Sequence, residues 1–172
     1  MLRKILSYGA IAGLIVGLPL FGMTVARSGH PPLTYSMVLG YLIMLIALST
    51  VFVAIKRRRD VDLGGAIGFW PAFGLGLGIS VVAGVFYVLA WEAALAVTHM
   101  DFASSYAKLV IAQQQAHGAS AADLAKLSAD MERFKAQYAN PVYRVAMTFT
   151  EIFPVGVLVS LVSAGLLRKR PT

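Results

Sequence analysis

The sequence predicts an all-α polytopic membrane protein with four transmembrane helices and an extracytoplasmic αα-hairpin between the third and the fourth. Three observations support this fold class. The chain has 172 residues, of which 58% are hydrophobic and 13% charged, with a mean hydropathy of +0.74, and this is far from the composition of a soluble domain. The apolar residues form four long runs, each able to cross about 30 Å of hydrocarbon. The basic residues cluster at the ends of those runs, as topological anchors do.

The first two spans are predicted at residues 5–26 and 35–55. Each run lacks charged residues, and about 20 apolar residues suffice to cross a bilayer. An alternative for the first span is a cleaved signal peptide, with Arg3 and Lys4 as its basic region and Thr24–Ala26 as a small-residue cleavage site. The apolar run is longer than the usual signal-peptide core, which favours a retained helix.

The third and fourth spans are predicted at residues 72–98 and 142–167. The apolar run 66–98 is too long for one upright helix, and Pro71 after Trp70 suits the first turn of a helix at the membrane interface. The crossing part of that run therefore begins just after the proline.

The polar segment between these spans, residues 101–139, is predicted to form two helices. Gly118 interrupts it, and Ser120 followed by Asp123 resembles the capping box that opens a helix. Apolar residues recur at helical spacing on both sides of the break and are expected to pack the two helices on each other. Binding of a partner protein stays open as an alternative. The apolar residues are Phe102, Tyr106 and Leu109 before the break, and Leu124, Leu127, Met131, Phe134 and Tyr138 after it.

The distribution of lysine and arginine predicts the orientation. Four spans place both termini on one side, and basic residues in short flanks mark the cytoplasmic side. Residues 99–140 are then extracytoplasmic. An alternative for the run Lys56–Arg59 is a contact with anionic lipid. Clustering of the charge at span ends argues against a nucleic-acid partner. The predicted cytoplasmic anchors are Lys56, Arg57, Arg58, Arg59, Arg168, Lys169 and Arg170.

Small residues four positions apart occur in three of the spans. Such stripes let helix backbones approach closely, which is how helices adhere in lipid. Packing within the bundle is the simplest interpretation, and association with a second copy or a partner protein through one of these faces stays open. The stripes are Gly9, Gly13 and Gly17, then Gly76, Ser80 and Gly84, then Gly156, Ser160 and Ala164.

Two carboxylates, Glu92 and Glu151, are the only acidic residues within the predicted spans. An ionisable group in a bilayer costs several kcal/mol unless it is paired or neutralised, so each marks a possible functional site. Glu151 lies near the centre of its span and Glu92 about 10 Å outward of the centre of its own. Side chains lean toward the helix N-terminus, so the two carboxyls approach one level and, if the spans are neighbours, would share a proton.

Pro154 extends this predicted intramembrane polar site. It lacks an N–H, so it is expected to kink the helix and to leave the carbonyl of Thr150 as an acceptor. Arg144, Thr148 and Glu151 fall on one helical face. A purely structural role, in which a neutral Glu151 ties a kinked helix to its neighbour, stays open.

The sequence predicts no catalytic residues, no metal and no cofactor. It contains no HExxH or GxSxG motif and no cysteine, and His30, His99 and His117 lack the spacing of metal ligands.

A succession of short motifs along nearly the whole chain resembles the bacterial membrane proteins grouped as domain of unknown function 4199. The most specific is the Glu-x-x-Pro-Val-Gly block at residues 151–156. The resemblance implies a four-helix bacterial integral-membrane protein and supplies no activity. The other matching residues are Tyr8, Gly9, Gly13, Gly40, Tyr41, Ile46–Ser49, Ile55, Lys56, Phe69, Ala72, Phe73, Trp91, Asn140 and Pro141.

The functional prediction is therefore a small inner-membrane protein without enzymatic activity, serving as an accessory or structural component of a membrane assembly. Its expected partners are the lipid bilayer and a partner protein or a second copy. The alternative is a small transporter or proton-coupled channel that uses Glu92 and Glu151.

Overall fold

The computed structural model describes residues 1–27 and 36–169, apart from the side chains of residues 36 and 37. His30 and the predicted anchor Arg170 lie outside the described residues. Over this part of the chain the fold is all-α, as predicted, with one isolated β-bridge between Ile67 and Lys169. The helices are α1 (Leu2–Ala26), α2 (Ser36–Arg57), α3 (Phe69–Thr98), α4 (Phe102–Ala116), α5 (Ala121–Tyr138) and α6 (Pro141–Leu167), and a short π-helical turn, Arg58–Asp62, follows α2.

Helices α1, α2, α3 and α6 are long and apolar enough to cross a membrane. They correspond to the four predicted spans, with ends within three residues of the predicted boundaries. α1 and α2 continue beyond the apolar runs into basic residues, Arg3 and Lys4 in α1 and Lys56 and Arg57 in α2. α3 begins at Phe69, three residues before the predicted start, with Pro71 inside its first turn. Backbone hydrogen bonding does not stop where the apolar run stops.

The chain divides into two compact units. The first comprises Met1–Ala94 and Thr148–Thr172, and the second comprises Leu95–Met147. The four apolar runs and the segment between them predict a single membrane domain over residues 1–172, and this stays a prediction.

In the first unit, α3 is the most buried of the four long helices. Half of its most apolar segment is buried, against 22% for α6. One side of α3 receives the glycine stripe of α1, where an added Cβ at Gly9 would lie 2.5 Å from the Cβ of Val82. The residue numbers rise together along the contact, so α1 and α3 run parallel. The contacts are Gly9 with Val82, Gly13 with Phe86 and Gly17 with Ala90.

Another side of α3 packs against α6 through small residues from both helices. An added Cβ at Gly156 would lie 2.6 Å from the Cβ of Ser80, so the two backbones approach as closely as a glycine allows. The hydroxyls of Ser80 and Ser160 are 3.4 Å apart, and each donates to the carbonyl one turn earlier in its own helix. The residue numbers run in opposite directions, so α3 and α6 are antiparallel. The contacts are Gly76 with Ser160, Ser80 with Gly156 and Gly84 with Phe149.

One end of the first unit collects basic residues from four helix ends. Lys4 of α1 forms an ion pair with Asp62 after α2, and an Nη of Arg59 donates to the carbonyl of Leu167 in α6 at 3.4 Å. Ile67, just before α3, is bridged to Lys169. We call this region the basic end, and it comprises Arg3, Lys4, Lys56, Arg57, Arg58, Arg59, Arg168 and Lys169 together with the acidic Asp60 and Asp62.

In the second unit, α4 and α5 pack through aromatic side chains. The ring centroids of Phe102 and Tyr138 are 5.4 Å apart, and those of Tyr106 and Phe134 are 5.7 Å apart. These rings belong to the two apolar stripes identified in the sequence. The stripes thus meet each other within the chain, and Gly118 between the helices has a φ of 79°, a conformation that favours glycine.

Asp101 caps α4, and this cap predicts a pH-dependent stability. Its carboxylate accepts the backbone N–H of Ser104 at 3.0 Å, and this hydrogen bond holds the pKa of Asp101 below its ordinary value. Because the pKa of Asp101 is lower in the folded state, its ionised carboxylate stabilises the fold at pH values above the unfolded pKa of about 3.9. This stabilisation is lost as the pH falls through the pKa of the folded state. We expect Asp101→Ala to lower the free energy of unfolding by about 1 kcal/mol at pH 7, with a smaller loss near pH 3.

Thermal unfolding followed by circular dichroism at the two pH values measures this difference. Asp101→Asn is the matched control, because asparagine caps helices about as well as aspartate but does not titrate. The free energy of unfolding of Asp101→Asn should be close to that of wild type at pH 7. The pH dependence of stability that comes from titration of Asp101 should be absent in this variant. An Asp101→Ala loss of equal size at both pH values would contradict the assignment.

Candidate functional site

Glu151 lies near the middle of α6 on the outside of the first unit. It is three residues before the midpoint of this 27-residue helix, which is about 4.5 Å along the axis. Its side chain is exposed, whereas the next residue, Ile152, is fully buried against the other helices. We call the surrounding exposed surface the outer face of α6, and it comprises Thr150, Glu151, Pro154 and Leu158.

The hydrogen-bond partner of Glu151 is a tyrosine on α3. The hydroxyl of Tyr87 donates to a carboxylate oxygen of Glu151 at 3.0 Å. The Tyr87 side chain is 6% exposed, so its ring is part of the core while its hydroxyl reaches the surface carboxylate. A carboxylate offers about four acceptor positions, and this bond occupies one of them.

Tyr87 is a site residue that the sequence analysis missed. A usable signal was present, because this tyrosine stands near the middle of the predicted third span, away from the interfaces where tyrosine usually lies. A hydroxyl at that depth needs a hydrogen-bond partner. Glu92 and Glu151, the two glutamates within the predicted spans, were the candidate partners at a similar depth in the membrane.

Glu92 lies on α3 five residues after Tyr87, and its side chain is half-buried. Five residues correspond to about 7.5 Å along the helix and a different helical face. The bond that the structure gives Glu151 is to Tyr87. A proton shared between Glu92 and Glu151 stays a prediction.

The other residues of the predicted polar site lie in different surroundings. Thr148 is 5% exposed and faces the interior, while Glu151, three residues later, is on the outside. Arg144 belongs to the second unit, where its guanidinium lies 5.8 Å from the centroid of the Tyr138 ring, a cation–π distance. α6 continues as a helix through Pro154. Thr150 and Pro154 are exposed beside Glu151, so these three residues share one surface.

The chemistry available on this surface is hydrogen bonding and proton exchange. A carboxyl and a phenol can each donate or accept a hydrogen bond, depending on protonation. Within residues 1–27 and 36–169, no three His, Asp or Glu side chains come together as a metal site would require.

Comparison with known proteins identifies the family. The family model described as Protein of unknown function (DUF4199) matches residues 7–169. No curated protein and no solved structure gave a match. Because the matched region includes all four long apolar helices almost completely, the resemblance noted from the sequence motifs is confirmed, and the chain belongs to the DUF4199 family of proteins of unknown function.

Proposed function

We propose that the chain is a bacterial inner-membrane protein and a non-enzymatic component of a membrane assembly. In this proposal the outer face of α6 binds a transmembrane helix of a partner protein. The observation that carries it is the exposure of Glu151 near the middle of an apolar helix. Facing lipid, that side chain would be in the least favourable part of the bilayer.

The energetic argument concerns the acceptors of Glu151. An acidic side chain at the centre of a membrane-spanning helix costs about 2.5–3.5 kcal/mol on insertion scales. The hydrogen bond from Tyr87 offsets part of this cost. A neighbouring helix that carries a donor, such as a serine, asparagine or lysine at the same depth, would supply the rest and exclude lipid. Interhelical hydrogen bonds of this kind contribute about 0.6–2 kcal/mol each.

The orientation in this proposal follows from the basic end. It carries eight basic and two acidic residues and lies at one end of the first unit, where α1 and α3 begin and α2 and α6 end. Placing it on the cytoplasmic side satisfies the positive-inside rule. Both termini are then cytoplasmic and residues 99–140 extracytoplasmic.

The small-residue stripes support a structural role within the bundle. The stripes of α1, α3 and α6 are used for contacts among those helices. The hydroxyls of Ser80 and Ser160 are bonded to backbone carbonyls, so they serve packing in preference to chemistry. The outer face of α6 lies outside these contacts and carries the exposed carboxylate of Glu151.

The test is affinity purification from the native membrane in mild detergent, with bound proteins quantified by mass spectrometry. We expect a stoichiometric membrane partner with wild type and about a tenfold lower yield with Glu151→Leu, because a lost buried hydrogen bond to a charged group costs about 1.5 kcal/mol or more. Glu151→Gln keeps hydrogen-bonding capacity and should retain the partner. Leu166→Ala, at a 72% exposed position on the same helix, is the matched control.

A photo-crosslinking residue at Leu158 identifies what lies on this face. A crosslink to a different membrane protein supports the proposal, and a crosslink to a second copy would make the assembly a homo-oligomer. Recovery of the same partner in the same yield with Glu151→Leu would contradict a role for this face.

A second candidate function is a small transporter or proton-coupled channel. The observation favouring it is the Tyr87–Glu151 hydrogen bond, which joins two proton-exchanging groups across α3 and α6, with Glu92 further along α3. Transport predicts that Glu151→Gln abolishes proton flux in reconstituted vesicles. Flux that is equal for wild type and Glu151→Gln would contradict transport through this residue and leave the assembly role as the explanation.

A further inference from the structure

A cavity of about 460 Å³ lies at the basic end, between the start of α3 and the end of α6. It is lined by Ile67, Gly68, Phe69, Arg168 and Lys169. We propose that this cavity binds the phosphate-bearing headgroup of an anionic phospholipid, held by Arg168 and Lys169. The proposal rests on the proposed membrane location and is independent of the role given to the outer face of α6.

The backbone holds the two basic residues in place at the cavity. Ile67 donates its N–H to the carbonyl of Lys169 at 3.1 Å, and Lys169 donates its N–H to the carbonyl of Ile67 at 2.9 Å. Ile67 is only 2% exposed, so the bridge is anchored in the core. The end of α6 is therefore fixed beside the start of α3, and a bound anion would not have to order a flexible tail.

The two carboxylates at the basic end are held chiefly by other cations: Arg59 is the main cause of the lowered pKa of Asp60, and Lys169 is a weaker one. Asp62 is paired with Lys4, and Asp60 with Arg59 at 2.6 Å. Among residues 1–27 and 36–169, Arg168 and Lys169 take part in no ion pair. A phosphate is a strong acceptor for such side chains.

Further positive potential comes from elsewhere at this end. In the same part of the chain, the Nε of Arg58 is buried without a hydrogen-bond partner. The first turn of α3 contains no acidic side chain, so the partial positive charge of its N-terminus is not neutralised. Both features favour an anion over a neutral ligand.

The apolar features around the cavity favour a lipid over a free phosphate ion. Phe69 contributes an aromatic wall, and its ring stacks on Phe73 with centroids 5.9 Å apart. The next residue, Trp70, is 75% exposed, and exposed tryptophan at the end of a span is typical of the headgroup level of a bilayer. The cavity volume falls in the range of sites for small organic ligands, so it has room for a headgroup with its glycerol.

The experiment is a titration of the full-length protein, purified in detergent, with phosphatidylglycerol or phosphatidylcholine. Native mass spectrometry counts the lipids bound to each chain. We expect one preferentially bound phosphatidylglycerol and about 30-fold weaker binding to R168Q/K169Q, since each basic residue near an anionic lipid contributes about fivefold. Phosphatidylcholine binding should change little.

Two further variants separate the cavity from general attraction to charge. K56Q/R57Q removes the same charge from exposed positions at the same end that do not line the cavity, and it should keep the preferred lipid within about threefold. Gly68 lines the cavity, so Gly68→Leu keeps both cations and is expected to reduce the space for a headgroup. An added Cβ at Gly68 meets only Pro71 atoms, at 3.5 and 3.9 Å, so the variant should fold and should lose the preferred lipid.

Several outcomes would overturn the proposal. These are equal losses for R168Q/K169Q and K56Q/R57Q, unchanged binding with Gly68→Leu, and full displacement of the lipid by millimolar inorganic phosphate. Unchanged circular dichroism confirms that each variant is folded. Because the titration uses the protein alone, its result is separate from that of the partner purification with Glu151→Leu.

Discussion

Replacement of Gly156 by leucine is expected to destabilise the protein by about 3 kcal/mol, at the upper end of the usual cost of overpacking. An added Cβ at this position would lie 2.6 Å from the Cβ and 2.7 Å from the Oγ of Ser80. A leucine side chain must therefore separate α3 from α6. That separation also weakens the contact between Ser80 and Ser160, whose hydroxyls are 3.4 Å apart. Unfolding in detergent with increasing denaturant measures the loss.

Gly165→Leu is the control for this prediction. Gly165 lies on the same helix, nine residues later, with nothing within 4 Å of an added Cβ. The same change in size and apolarity should alter stability by no more than about 0.5 kcal/mol. Equal losses at the two positions would show that the α3–α6 contact does not depend on the absence of a side chain at Gly156.

Cysteines at positions 17 and 90 are expected to form a disulfide almost completely under mild oxidation. An added Cβ at Gly17 would lie 3.2 Å from the Cβ of Ala90, close to the range of about 3.5–4.5 Å found in disulfides. The natural sequence contains no cysteine, so G17C/A90C has no competing thiol. Protection from maleimide labelling and a mass lower by two hydrogens report the bond.

The matched control is G22C/A90C, because an added Cβ at Gly22 meets nothing within 4 Å. These thiols should remain reactive. The G17C/A90C result also tests the signal-peptide alternative, since the bond requires that α1 remains part of the mature chain. Free thiols in G17C/A90C, or an intact mass without residues 1–26, would contradict the parallel packing of α1 on α3.

Much of the fold was accessible from the sequence because the signals were local. A run of about 20 apolar residues is sufficient to predict a membrane-spanning helix, and each of the four runs is a helix in the structure. In the structure α4 ends at Ala116 and α5 begins at Ala121, and Ser120 accepts the backbone N–H of Asp123 at 3.2 Å. The ends were less accurate, because α1 and α2 continue into basic residues outside the apolar runs and α3 begins before Pro71.

The candidate site was only partly accessible. Glu151 could be identified because a carboxylate in an apolar run has a high free energy of insertion into a membrane, whichever side of the helix it occupies. Its partner Tyr87 was missed because the two residues are 64 positions apart, and their contact depends on how α3 and α6 pack. The grouping of Thr148 with Glu151 assumed a single polar face, whereas the packing of α6 places one side chain inside and the other outside.

The sequence alone determined the helical class, the positions of the four apolar helices, the family and the presence of two unusual carboxylates. Those properties depend on composition and on residues near one another in the chain. Tertiary structure decided which stripe meets which helix, that Glu151 faces outward and bonds Tyr87, and that Lys169 is held beside Ile67. Small-residue stripes fit many partners equally well, so only the simultaneous packing of all four helices selects the pairs that meet.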